Sequence, residues 1–99
     1  MEILIDCEKL RSRRVFNDYL EAVMDLPAYF GRNLDALYDV LSTVNGGAPC
    51  HFRIINREKE SSRMVGHYNT FLQMLEDVHE FNPNVTYSIE PSQEKQEKE

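Results

Sequence analysis

The sequence contains no tryptophan, only two cysteines, and four residues each of glycine and proline. Cys7 and Cys50 do not fall at metal-ligand spacing with the scattered His51, His67 and His79, so no metal site is expected. Gly46-Gly47 lacks the following lysine and the strand-to-helix setting of a phosphate loop. No apolar run approaches the roughly 20 residues of a membrane helix. The start, Met-Glu-Ile-Leu-Ile-Asp, has no basic segment of a secretion signal. These absences predict a cytoplasmic chain with no cofactor and no membrane partner. Basic residues are in deficit, 11 against 17 acids, for a formal charge of −6. That balance repels phosphate backbones, so nucleic acid is not an expected ligand. It favours basic partners and speeds encounter with them, although net charge of this size also serves plain solubility.

What is present is enough for one domain. The 99 residues are 41% hydrophobic and include five tyrosines and five phenylalanines, a globular composition at single-core length. Residues 2–6 read as a strand, and the run Ile3-Leu4-Ile5 suits a strand covered on both faces. Residues 13–24 read as a helix capped by Ser12, with Val15, Phe16, Tyr19, Leu20 and Val23 at helical spacing. Pro27 and Gly31 bracket a turn, and Asn33 caps a second helix over 34–42. A loop rich in Asn, Gly and Pro leads to a strand over 50–56. Residues 57–62 form a short helix or turn, 63–81 the longest helix, with Tyr68, Phe71, Leu72, Leu75 and Val78 on one face, and 85–89 a third strand.

Every strand-to-strand connection contains a helix. The expected sheet is therefore three-stranded and parallel, with right-handed crossovers and two layers. Cys7 and Cys50 then lie at opposite ends of neighbouring strands, roughly 15 Å apart. A disulfide needs Cα atoms within about 7 Å, so two free thiols are expected, as in a reducing compartment. The domain is expected to span 1–90. Residues 91–99, which are polar and charged after Pro91, read as a disordered tail.

The most informative stretch is 26–41, LPAYFGRNLDALYDVL. On a helical wheel Leu34, Leu37 and Leu41 share a buried face, Asp35 and Asp39 sit one turn apart on the outer side, and Tyr38 lies at the boundary. Two like charges at i and i+4 repel by roughly a few tenths of a kcal/mol. Asp35 is compensated by the helix amino terminus and Asp39 is not. Aromatics beside unfavourable charges are typical of binding surfaces. An enzymatic acid–base pair would require a cleft that splits the two pKa values, and an outward helix face offers none. The arginines near 11–14 and the basic residues Arg53, Arg57, Lys59 and Arg63 are expected to lie away from the acidic face.

The 26–41 segment resembles the barstar family of bacterial ribonuclease inhibitors, whose pattern is close to L-P-x-Y-[YF]-G-x-N-L-D-A-L-[WY]-D-x-L. The resemblance extends more weakly over 2–89, through Glu8, Arg11-Ser12 and Leu72-Gln73. It implies an α/β, two-layer barstar-like fold, a three-stranded parallel sheet packed with about four helices. It implies an intracellular immunity protein, not an enzyme, that covers the active site of a small basic ribonuclease, secreted or toxin, with an acidic helix and its adjoining loop. The alternative is an interaction module with a non-nuclease basic partner. The residues implied to face the partner are Tyr29, Asn33, Asp35, Tyr38, Asp39, Thr43, Val44 and Asp77, the last placed by aligning on Leu72-Gln73. Three departures bear on the partner's identity. Tyr38 stands where the family has tryptophan, Arg32 places a positive charge within the segment, and the 43–47 loop has a different length and no aromatic residue.

Overall fold

The computed structural model describes residues 1–24, 26, 30–43 and 49–91. Its elements run β1 (Glu2–Asp6), α1 (Arg13–Val23), α2 (Leu34–Thr43), β2 (Cys50–Ile55), α3 (Val65–Phe81) and β3 (Val85–Glu90). Two short 3₁₀ turns, Arg57–Lys59 and Ser62–Met64, lie between β2 and α3. Against the expected count of about four helices, the described residues hold three α-helices plus these turns. The long helix begins two residues later than the pattern suggested, because Ser62–Met64 forms the tighter turn that buries Met64.

The sheet order is β1-β2-β3, all parallel, as expected. Glu2 pairs with His51 and Cys50 with Val85. The inward residues Ile3, Ile5, Phe52, Ile54 and Val85 meet Phe16 and Leu20 of α1, Leu37 and Leu41 of α2, and Phe71, Leu75 and Val78 of α3 in one core. Phe16 joins the layers. Its ring meets His67, Tyr68 and Phe71 edge-on at centroid distances of 4.7, 5.9 and 5.2 Å, and Phe71 stacks edge-on with Phe52 of the central strand. The Ser12 hydroxyl caps α1 by accepting from the Val15 amide. Both thiols are free and buried, and burial pushes Cys7 up to about 12, so neither is a reactive thiolate at neutral pH.

Two burial expectations are corrected. The first strand is not covered on both faces, since Leu4 is 39% exposed between buried Ile3 and Ile5. The far side of the sheet is instead a polar surface. On it Arg53 bridges Glu90 at 2.8 Å and Glu2 at 3.3 Å, and His51 hydrogen-bonds Thr86 and Ser88 across the strand pair. Charged cross-strand contacts thus stand where a second helical layer would in most parallel sheets. In α1, Val15 and Val23 flank the contact stripe and are exposed, while Phe16 and Leu20 are fully covered.

Two buried amides tie α2 into this frame. The Asn82 side chain, at the turn into β3, donates to the Leu41 carbonyl, one of the carbonyls left open at the end of α2. The Asn17 side chain, buried in α1, donates to the Arg32 carbonyl at 2.8 Å just before α2 begins.

Candidate partner-binding site

The approach to α2 is set by an unusual backbone. Arg32 has φ of 59°, while no glycine, Gly31 included, takes a positive φ among the described residues. An arginine in the left-handed region is strained, and three contacts hold it there. Asn17 binds its carbonyl, and its guanidinium pairs with Asp18 and Glu21 of α1, each at 2.7 Å. The positive charge within the segment is therefore turned back onto α1 and compensated, and Asp18, then Glu21, hold the guanidinium firmly protonated.

Asn33 then starts the helix. Its Oδ1 accepts from the Ala36 amide at 2.7 Å and its carbonyl from the Leu37 amide. We expect Asn33→Ala to lower stability by about 0.5–2 kcal/mol, the usual cost of an N-cap. A urea melt with unchanged slope is the check, and an unaltered midpoint would contradict the cap.

From this start the wheel falls as expected in most respects. Leu37 and Leu41 are fully buried, and Asp35 and Asp39 are exposed. Leu34 is the exception. It is half-buried, because at the first turn of α2 it forms a groove wall and not core. Tyr38 is half-buried against the core. Thr43 is the last residue of α2, and its side chain lies outside the described residues, as do Tyr29 and Val44.

Asp35, Tyr38 and Asp77 come together across two helices. They line a groove of about 400 Å³ between α2 and α3, with Leu34, Asn69, Thr70, Gln73 and Met74. Asp77 is exposed, and Gln73 donates to it at 3.3 Å. Asp39 sits one turn beyond Asp35 on the outer side of α2 and does not line this groove. Sequence reasoning passed over Asn69 and Gln73. Their spacing with Asp77, four residues each time, was the signal for a shared polar stripe on α3.

The groove continues past Leu34, Asp35 and Thr70 into a second cavity of about 560 Å³, lined also by Arg13, Asn17, Arg32, Asn33, Gly66 and His67. Here the expected charge separation is corrected. Arg13 lies beside Asp35 and not on a remote surface, because α1 packs along the amino-terminal end of α3. A further cavity, of about 600 Å³, lies elsewhere, between Glu76, His79 and Glu80 of α3 and Thr86–Ile89 of β3. Tyr87 donates to Glu76 there at 2.7 Å, and none of the expected partner-facing residues lines it.

His67 is 7% exposed, and its Nε2 has no hydrogen-bond partner among the described residues. Burial, and then the nearby Arg13 charge, lowers its pKa. The unfolded chain consequently takes up a proton near the ordinary histidine value that the folded chain refuses. The stability contributed is present above about pH 6.5 and is lost as pH falls below it. Between pH 7.5 and 5 the wild type should lose stability relative to His67→Gln, read by thermal melts of both proteins. Parallel pH profiles would count against it.

A parallel three-stranded sheet with helices on one side, displaying carboxylates from α2 and α3 along one groove, defines a small α/β domain with an acidic groove between two helices. The chain belongs to the barstar family: the family described as Barstar (barnase inhibitor) matches residues 1–95. It is also similar to a Bacillus subtilis (strain 168) protein named "Putative ribonuclease inhibitor YrdF", 44% identical over 41 residues. That match covers 41% of this chain and 45% of the relative's length.

Proposed function

We propose that this chain inhibits a small basic ribonuclease by laying the acidic helix α2 and its adjoining loop over the active site, with Asp77 of α3 alongside. The observation that carries the reading is the convergence of Asp35 and Asp77 from two helices on one groove, with Tyr38 between them and Asp39 exposed beside it. A ribonuclease site must present cationic donors to a phosphodiester, and carboxylates satisfy the same donors. Membership of the barstar family and the likeness to a protein named as a ribonuclease inhibitor support the reading.

Inhibition then works by occupancy, with no chemistry, cofactor or nucleic-acid contact of its own. Tyr29, Asn33, Thr43 and Val44 extend the contact on either side of α2. The protein acts in the cytoplasm as an immunity protein, against an enzyme that is toxic there. Residues 1–90 suffice for this role, and residues 92–99 of the expected tail lie outside the described residues.

The test is RNA cleavage by a panel of small basic microbial ribonucleases in the presence of the chain. Inhibition of at least one is expected. Its association rate should fall as ionic strength rises, because opposite charges steer the encounter and salt screens them. Inhibition with no salt dependence would remove the acidic face as its cause. No inhibition across the panel would favour a non-nuclease basic partner.

A further inference from the structure

The two edges of the sheet are finished differently. The Cys50 amide bonds the Asn84 carbonyl, and the His51 amide bonds the Met1 carbonyl. Alternate residues of a parallel strand bond to opposite sides, so these two bonds set the phase of both pairings. On β1 the outward backbone groups belong to Glu2, Leu4 and Asp6. The Tyr19 hydroxyl donates to the Leu4 carbonyl, and the Lys9 and Leu10 amides donate to that of Asp6. On β3, Thr86, Ser88 and Glu90 turn to β2, and Val85, Tyr87 and Ile89 turn outward. His79 donates through Nδ1 to the Val85 carbonyl at 2.8 Å. No described group bonds the outward backbone of Tyr87 or Ile89.

We propose that β3 accepts an extended basic segment of a partner protein, paired to Tyr87 and Ile89, with a lysine or arginine side chain in the cavity beside them. This surface shares no lining residue with the groove assigned to the ribonuclease.

The strand itself is suited to pairing. Edge strands are usually blunted by lysine, proline or a bulge. β3 reads VTYSIE in unbroken register, and its one charge, Glu90, is held by Arg53 of β2. An open edge of this kind is the template on which extended peptides add as a further strand.

The cavity fixes the chemistry of the occupant. It measures about 600 Å³ and lies between β3 and α3. Every second side chain of an added strand points to the helix side. There it meets the apolar surface of Tyr87 and Ile89, the latter 51% exposed, and the exposed carboxylates of Glu76 and Glu80, one helical turn apart. Tyr87 donates to Glu76, and Glu80 has no ion pair among the described residues. Lysine and arginine match both features, because their stems cover apolar surface while the charged head reaches a carboxylate. An acidic side chain would meet two like charges. The same carboxylates oppose a second copy: β3 paired with its twin would bring Glu76 and Glu80 of both chains to one junction, on a protein of formal charge −6.

The experiment uses the full chain, isotopically labelled, with backbone amides followed by NMR near neutral pH. The probe is acetyl-Thr-Lys-Thr-Lys-Thr-amide, which sets both lysines on one face of an extended chain. The comparison is acetyl-Thr-Glu-Thr-Glu-Thr-amide at matched ionic strength. Saturable shifts of the Tyr87 and Ile89 amides with the lysyl peptide alone are expected, with slowed exchange of both protons. Ile89→Pro removes one outward N–H and leaves the Ser88 and Glu90 bonds to β2 in place, so the peptide should bind roughly tenfold or more weakly. Glu80→Gln leaves the backbone intact and should weaken binding about threefold. It decides the matter if the proline variant does not fold. Asp39→Ala should bind the peptide as the wild type does. Equal responses to both peptides, no response, shifts confined to the α2–α3 groove, or undiminished binding by Glu80→Gln would overturn the proposal. Shifts of Tyr87 and Ile89 that follow protein concentration without peptide would overturn it as well, and would make a second copy the occupant. The readout lies on β3, so it stands whether or not the chain inhibits a ribonuclease.

Discussion

Asp39→Ala is expected to weaken ribonuclease inhibition more than any other single change in α2. The carboxylate is exposed on the outer side of the helix, one turn past the amino-terminal residues that the helix dipole favours. In a complex it would face cationic donors with water excluded. Removing it leaves those donors buried and unpaired, at a cost of about 2–5 kcal/mol, a range to which barnase–barstar complexes themselves contribute and which is carried over from them. The inhibition constant should rise roughly 30- to 4000-fold. The fold should survive, because α2 is held from its other side by Leu37, Leu41 and the Asn82 bond to the Leu41 carbonyl. Parallel inhibition curves for wild type and Asp39→Ala, with circular dichroism to confirm folding, decide the matter. Equal inhibition by the two folded proteins would move the site off α2. Asp35→Ala should follow in severity, because its side chain faces the groove shared with Asp77.

The largest stability effect is expected at Phe16. Its ring is fully buried and contacts His67, Tyr68 and Phe71 edge-on, so one side chain fastens α1 to α3, and α3 to the sheet through Phe52. Truncation to alanine removes the buried area and leaves a cavity, for about 3–5 kcal/mol. A domain of this size has a total stability of about 5–15 kcal/mol. Phe16→Ala should therefore melt far below the wild type and populate unfolded chain at physiological temperature. The neighbouring Val15→Ala is the contrast. Val15 is 39% exposed, and its loss should stay within about 0.5 kcal/mol. Denaturant melts of the pair separate the two positions, and similar midpoints would show that the Phe16 cluster does not bear the packing assigned to it.

The element order, the parallel sheet and the orientation of α2 were legible in the sequence because each rests on local periodicity. Helical spacing located Leu37 and Leu41 inward and Asp35 and Asp39 outward, and the helix between each pair of strands dictated parallel pairing. What failed depended on which neighbour a side chain meets. Ile3-Leu4-Ile5 reads as doubly covered, but among the described residues no layer covers Leu4, which is 39% exposed. The strict alternation of buried with polar residues in β2, Cys50-His51-Phe52-Arg53-Ile54, was the better guide to a one-sided sheet. Leu34 and Val15 satisfy the wheel and still lie at the edge of a contact, because a stripe's rim is set by the packing partner. Asn17 and His67 carried no readable signal. An asparagine within a helix is unremarkable until the Arg32 carbonyl lies opposite it, and a histidine on a helix is unremarkable until the rings of Phe16 and Tyr68 and an arginine close around it. Arg32 was read as an intrusion in the acidic segment. Its role as a clamp follows only from the positions of Asp18 and Glu21 on a separate helix.

The sheet has a temporal consequence. Strand pairing joins Glu2 to His51 and Cys50 to Val85, so no two strands are neighbours along the chain. Pairings of that span form slowly, since a long stretch of chain must be ordered before the first contact rewards it. During synthesis the helical segments can emerge while β1 still waits for its partner. The end of α2 is tied by Asn82, which lies beyond α3. The acidic helix therefore reaches its final seat only after nearly the whole domain has left the ribosome. The time needed to complete the acidic face is thus set by the folding time of a parallel sheet.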